Sequence, residues 1–152
     1  MAIAAPPRPD QDQSIDTDAV SQFFDNHMPG AWGEETDGWR VPLGQRLDAL
    51  SMPAGFGAEV NHRLGLVMLR PPILSTPAAG TWTFLTGPRM RLRDSTVADL
   101  ALFGVTWAPA GSTILVPGPG AAPWVQAPAP GGELPGWGAV VGAARRACGG
   151  GW

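Results

Sequence analysis

The segment RLDALSMPAGFGAEVNHRLG, residues 46–65, changes its hydrophobic period half-way along. Its first part, residues 46–52, reads as a strand. Pro53 then opens a helix at its first turn, where a missing N–H is harmless. Phe56, Val60 and Leu64 follow at i, i+4 and i+8, the spacing of one helical face, and Gly65 closes the run. A strand feeding directly into a helix is the unit from which the rest of the chain is read.

Downstream, residues 66–69 form a short, wholly apolar stretch that reads as a strand stopped by Pro71 and Pro72. Residues 81–86 are rich in β-branched and aromatic side chains and lie between Gly80 and Gly87–Pro88, which predicts a strand. Asp94 or Ser95 caps a helix with Val97, Leu100 and Ala101 inward, ended by Gly104. Residues 105–107 and 113–116 read as two strands joined by a turn over 108–112. Residues 124–127 are extended, 128–136 are a Pro/Gly loop, and 137–148 form a last helix. Upstream, Asp16 or Thr17 caps a short helix through His27, with Val20, Phe23 and Phe24 on one side. Trp32 and Trp39 flank an acidic turn. No internal repeat is present. Strands following one another through short turns imply an α+β fold with a mainly antiparallel sheet and three to four helices packed on it. The expected organisation is a disordered tail over 1–13, one domain over 14–148, and a flexible tail over 149–152.

Composition narrows the function classes. The 152 residues are 44% apolar and 15% charged, with 21 Gly and 17 Pro, a quarter of the chain. That is turn-rich, yet too apolar for wholesale disorder. All ten basic residues are Arg. Without Lys, a Walker-type phosphate loop and Schiff-base chemistry are excluded. Cys148 has no second cysteine to pair with, which suits a reduced, cytoplasmic setting. The first ten residues lack the pattern of a secretory signal. Residues 100–132 carry no charge, but six prolines interrupt them, so they do not read as a membrane span. Charge is uneven: residues 1–60 carry −7 and residues 61–152 carry +4. The two parts attract each other, or the basic part faces an anionic partner.

Several constellations fail on inspection. Asp10, Asp12, Ser14 and Asp16 alternate as in a calcium loop, but Ile15 and Ser21 stand where Gly and Glu are needed. Gly118 and Gly120 follow an apolar strand, yet the third glycine of a dinucleotide turn is replaced by Pro123. His27 and His62 are the only imidazoles, and neither sits in a set of three or four metal ligands. No metal site and no cofactor are expected. Three arrangements remain. Arg89, Arg91 and Arg93 alternate, so an extended backbone places them along one edge, with Trp82 and Phe84 of the neighbouring strand as stacking surfaces and Trp82 or Trp107 as the aromatic partner of the edge. Asp48, Glu59 and His62 flank the strand-to-helix turn and form a possible acid/base group. Gly138 and Gly142, four apart on the last helix, suit close packing within the fold or against a second chain.

The residues Leu47–Gly57, Gly80–Leu85, Gly104–Trp107, Gly111–Pro119 and Trp124–Pro128, in that order, resemble the small actinobacterial proteins related to the N-terminal domain of bifunctional DNA primase/polymerases, the prim-pol-like class. The resemblance spans roughly residues 40–145 and rests on order and hydrophobic pattern. It implies an RRM-like sheet. Active members carry a pair of acids at a strand end for two metal ions, a His on a later strand, and a third acid. Those positions fall here near Ser51, Pro53 and Trp82. Proline has no ligand atom and indole is a donor only, so the resemblance implies that polymerase and primase chemistry is lost. The expected function is a non-catalytic binding domain whose partner is a protein, a nucleotide or a single-stranded nucleic acid, without a membrane role. The alternatives are a small enzyme using Asp48, Glu59 and His62, and an assembly protein that self-associates through its C-terminal helix.

Overall fold

The computed structural model describes residues 32–35, 38–117, 124–128 and 134–149. In chain order the elements are β1 (Trp32–Glu35), β2 (Gly38–Pro42), β3 (Asp48–Pro53), α1 (Ala54–Leu66), β4 (Ile73–Thr76), β5 (Thr81–Thr86), α2 (Asp94–Leu102), β6 (Thr113–Pro117), β7 (Trp124–Gln126) and α3 (Trp137–Gly149). The helix read over residues 16–27, the tail over 1–13 and the turn after Gly118 lie outside the described residues.

β3 runs into α1 as its sequence demands. Pro53 occupies the cap with φ −55° and ψ 143°, and Gly57, Val60 and Leu64 are buried beneath the helix. β3 pairs antiparallel with β5, Leu50 opposite Phe84 and Met52 opposite Trp82. β5 pairs with β4, and β4 with β7, giving the order β3-β5-β4-β7. On the other edge of β3, Thr106 makes a single bridge to Ser51, each N–H donating to the other's carbonyl at 2.8 Å. The spatial order Thr106–β3–β5–β4 with two intervening helices is that of a split βαβ unit. Its last strand is reduced to one residue.

Alternation along the strands builds two cores. Leu50, Met52, Phe84 and Ile73 point to one face, where they meet Val60 and Leu64 of α1, Leu100 of α2, and Trp137, Val140, Ala143 and Ala144 of α3. Ala49 and Leu85 point the other way, onto Val41 and Val116 of the second sheet, ordered β1-β2-β6. The molecule is therefore layered as helices, sheet, sheet. The α+β class and the antiparallel sheet stand as expected, with three helices among the described residues. The apolar side of α3, with Trp137, Val140, Val141, Ala143 and Ala144, is buried against α1 and α2 within the chain.

Three local expectations are corrected. Residues 66–69 are not a strand. α1 continues to Leu66, and β4 starts only after Pro71 and Pro72. The helix end explains this. Leu69 N–H donates to Leu64 O (2.9 Å) and Met68 N–H to Gly65 O (3.0 Å), the paired bonds of a Schellman cap. Leu69 folds back onto the Leu64 core while Leu66 and Met68 stand exposed. Second, residues 105–107 do not form a hairpin with β6. β6 pairs instead with β2, which sets Val41 opposite Ile114 over the second core. Third, the inner face of α2 is Thr96 and Leu100, whereas Val97 and Ala101 face outward.

The cap also yields a measurable consequence. Its left-handed position is filled by Met68 at φ 62°, where glycine is the favoured residue. Met68→Gly should stabilise the protein by about 1 kcal/mol, because an L side chain is strained in that region. A thermal melt should show Tm rising by about 2–4 °C, and Met68→Ala should give no such rise. Equal melting of the Gly variant and the parent would refute the strain.

Candidate functional site

Asp48 opens β3, and its side chain falls on the helical face of the sheet together with Leu50 and Met52. An ionised carboxylate there must be paired. Arg89, arriving from the loop after β5, supplies the partner. Its Nε donates to Oδ2 at 2.7 Å and its Nη2 to Oδ1 at 2.6 Å, a bidentate fork. The backbone N–H of Arg89 also donates to Oδ2, and Asp48 itself is fully buried. Nη2 further donates to the carbonyl of Ala108 at 2.6 Å. The hydrogen bonds it donates to Asp48 raise the pKa of the guanidinium above its ordinary value, against the opposing effect of burial. The group lies 5.7 Å from the centre of the Trp137 ring, which Trp107 meets edge-on at 5.7 Å. One ion pair thus ties β3, the loop after β5 and the segment at Ala108 to the start of α3.

This geometry redistributes the residues singled out in the sequence. Arg89 is part of the interior clamp, so the basic edge reduces to Arg91 and Arg93. Both are exposed, and with Leu92 and Asp94 they line an open cleft of about 440 Å³. Arg93 is the N-cap of α2 and makes no side-chain cap hydrogen bond. Trp82 lies on the helical face, packed on α1, where a Cβ at Gly57 would sit 3.1 Å from its ring. Trp107 is half-buried against Trp137. Neither indole lies open as a stacking platform. The acid/base group is not assembled. Asp48 is engaged by Arg89, whereas Glu59 and His62 are exposed on α1, with Glu59 held by Arg63 at 3.1 Å. Half-buried Cys148 has its thiol pKa pushed up, chiefly by burial and then by Asp99, so it stays a protonated, weak nucleophile at neutral pH.

The face of the sheet opposite the helices carries Ser51 and Thr83, whose hydroxyls meet at 2.8 Å. Ser51 and Pro53 share that face, but Trp82 does not, since it stands opposite Met52 on the buried side. Among the described residues no three His, Cys, Asp or Glu side chains gather where a metal ion could be held. No helix among them is long and apolar enough to cross a membrane.

The Asp48–Arg89 clamp is the feature that pattern reading missed. Its signal was present, since an acid inside an apolar strand requires a buried cation. The partner 41 residues away carried no local mark. No family model matches the chain, and no curated protein or solved structure does so either.

Proposed function

We propose that this chain is a non-catalytic, prim-pol-like binding domain of the cytoplasm that recognises an anionic group on a protein, nucleotide or single-stranded nucleic acid. The observation that carries the reading is the neutralisation of Asp48. A carboxylate that accepts two guanidinium hydrogen bonds and two from the backbone N–H groups of Ala49 and Arg89 has its charge paired and its four lone-pair sites engaged, with none left for a metal ion or a substrate proton. The neighbouring positions on the sheet face turned from the helices offer hydroxyls and a proline ring. What remains for recognition is the Arg91–Arg93 cleft beside the first turn of α2, where the two guanidinium groups outweigh the single carboxylate of Asp94.

Fluorescence anisotropy with labelled single-stranded DNA and RNA, titrated over a salt series, tests the phosphate form of this reading. The expected result is saturable binding that weakens as salt rises. Replacing both Arg91 and Arg93 by Ala should weaken it by about tenfold or more and flatten the salt dependence. Binding that survives the double replacement would place the contact elsewhere. A flat titration at low salt would remove nucleic acid and leave an acidic protein surface or a nucleotide as the partner.

A further inference from the structure

β6 is the outer strand of the β1-β2-β6 sheet, and the bonding phase of its ladder tells which of its groups face outward. Leu43 N–H donates to Ser112 O at 2.8 Å, and Leu43 O accepts from Gly111 N–H at 3.0 Å. Counting along the antiparallel register from there, Val41–Ile114 and Trp39–Val116 are the hydrogen-bonded pairs. Pro42–Thr113, Arg40–Leu115 and Gly38–Pro117 are the alternate pairs. Both prolines fall among the alternate pairs, where an N–H is not required of them by this ladder. The N–H and C=O of Thr113 and Leu115, and the C=O of Pro117, therefore point along the open edge. Among the described residues no backbone group bonds to them.

Natural sheets guard such an edge with charge, a bulge or a covering element. Residues 113–116 read Thr-Ile-Leu-Val, within a stretch, 100–132, that holds no charged residue. Leu115 is 41% exposed on the outer face of the sheet, whereas Val116 is buried in the core.

We infer that the open edge of β6 is a docking site for a second copy of this chain, paired antiparallel about a two-fold axis at Leu115. In that register Leu115 lies opposite its own counterpart and Thr113 opposite Pro117 of the second copy. Each Leu115 N–H meets the other Leu115 carbonyl, and each Thr113 N–H meets the carbonyl of the other Pro117. The outward N–H groups of both strands are satisfied, and Pro117, which has no N–H, falls where the pairing ends. The occupant follows from this complementarity and from charge. Residues 113–117 carry no charge, so the strand meets its own copy without repulsion along the pairing. The contact is isologous, so it closes at a dimer and joins two three-stranded sheets into one.

Sedimentation velocity on the full chain over a concentration series tests this, with Leu115→Lys and Leu115→Pro as variants. Proline at 115 deletes only an outward-facing N–H, so the ladder to β2 is kept. Lysine places a charge next to its own copy and leaves the backbone untouched, which covers the case that the proline variant folds poorly. The expected result is a concentration-dependent dimer whose self-association falls about tenfold or more in the lysine variant, with its thermal melt equal to the parent's at concentrations where both are monomeric. A parent chain that stays monomeric throughout the series would overturn the inference. So would a lysine variant that dimerises as tightly as the parent.

Discussion

Asp48→Ala should destabilise the protein by about 3–5 kcal/mol, because it strands the guanidinium of Arg89 without its counter-charge. The side chain of Arg89 is only 22% exposed and that of Asp48 is fully buried, so water does not replace the lost partner. Arg89→Ala should cost a similar amount from the other side. Urea unfolding monitored by tryptophan fluorescence reads both, and for a chain of this length the fall in Tm is on the order of 10 °C. The informative member of the set is the pair Asp48→Leu with Arg89→Met. Replacing both charges by apolar groups of similar size removes two desolvation costs together with one attraction, so the double variant should lose much less than the sum of the single losses. Additive losses would mean that the two groups act separately, contrary to the fork drawn by their short contacts.

The second large effect concerns Trp137, which is 2% exposed at the first position of α3. It joins the helical core to the clamp, carrying Arg89 over its ring and Trp107 at its edge. Trp137→Ala should cost about 3–5 kcal/mol through the cavity it leaves. Trp137→Phe should cost far less, about 1 kcal/mol. The indole Nε1 is buried with no hydrogen-bond partner among the described residues, and losing an unsatisfied donor offsets part of the lost contact area. Denaturant midpoints for the two variants separate these contributions. A phenylalanine variant as unstable as the alanine variant would show that the contacts of the whole indole, and not the volume a phenyl ring restores, hold the position.

The Asp48–Arg89 pair also bears on function. Ser51 and Pro53 stand on the face turned from the helices, while the one acid on β3 is held on the helical side by Arg89. The same Arg89 then leaves the surface edge to Arg91 and Arg93. Variants at 91 and 93 should therefore alter binding without altering stability, and variants at 89 should do the reverse.

The parts of the fold that the chain spells out locally are those whose stabilising contacts are close in sequence. Residues 81–86 alternate β-branched and aromatic side chains between glycines, and they form β5 to the residue. Phe56, Val60 and Leu64 mark the inner face of α1 because a helix repeats its neighbours every three or four residues. Pro53 and Gly104 mark the start of α1 and the turn after α2 because each has a backbone preference that few other residues share.

What tertiary structure decided is what depends on partners distant in sequence. The apolar run at 66–69 suits a strand as well as the end of a helix, and only the bonds back to Leu64 and Gly65 settle it. β6 has the composition to pair with several strands, and its register with β2 follows from matching Val41 and Ile114 over the second core. The three alternating arginines are equivalent on paper. They part because Asp48 sits in a site that water does not reach, where a charge must be paired, and Arg89 is the one whose backbone and side chain both reach it. Periodicity records which way a side chain faces along its own element, but burial and charge pairing belong to the assembled layers.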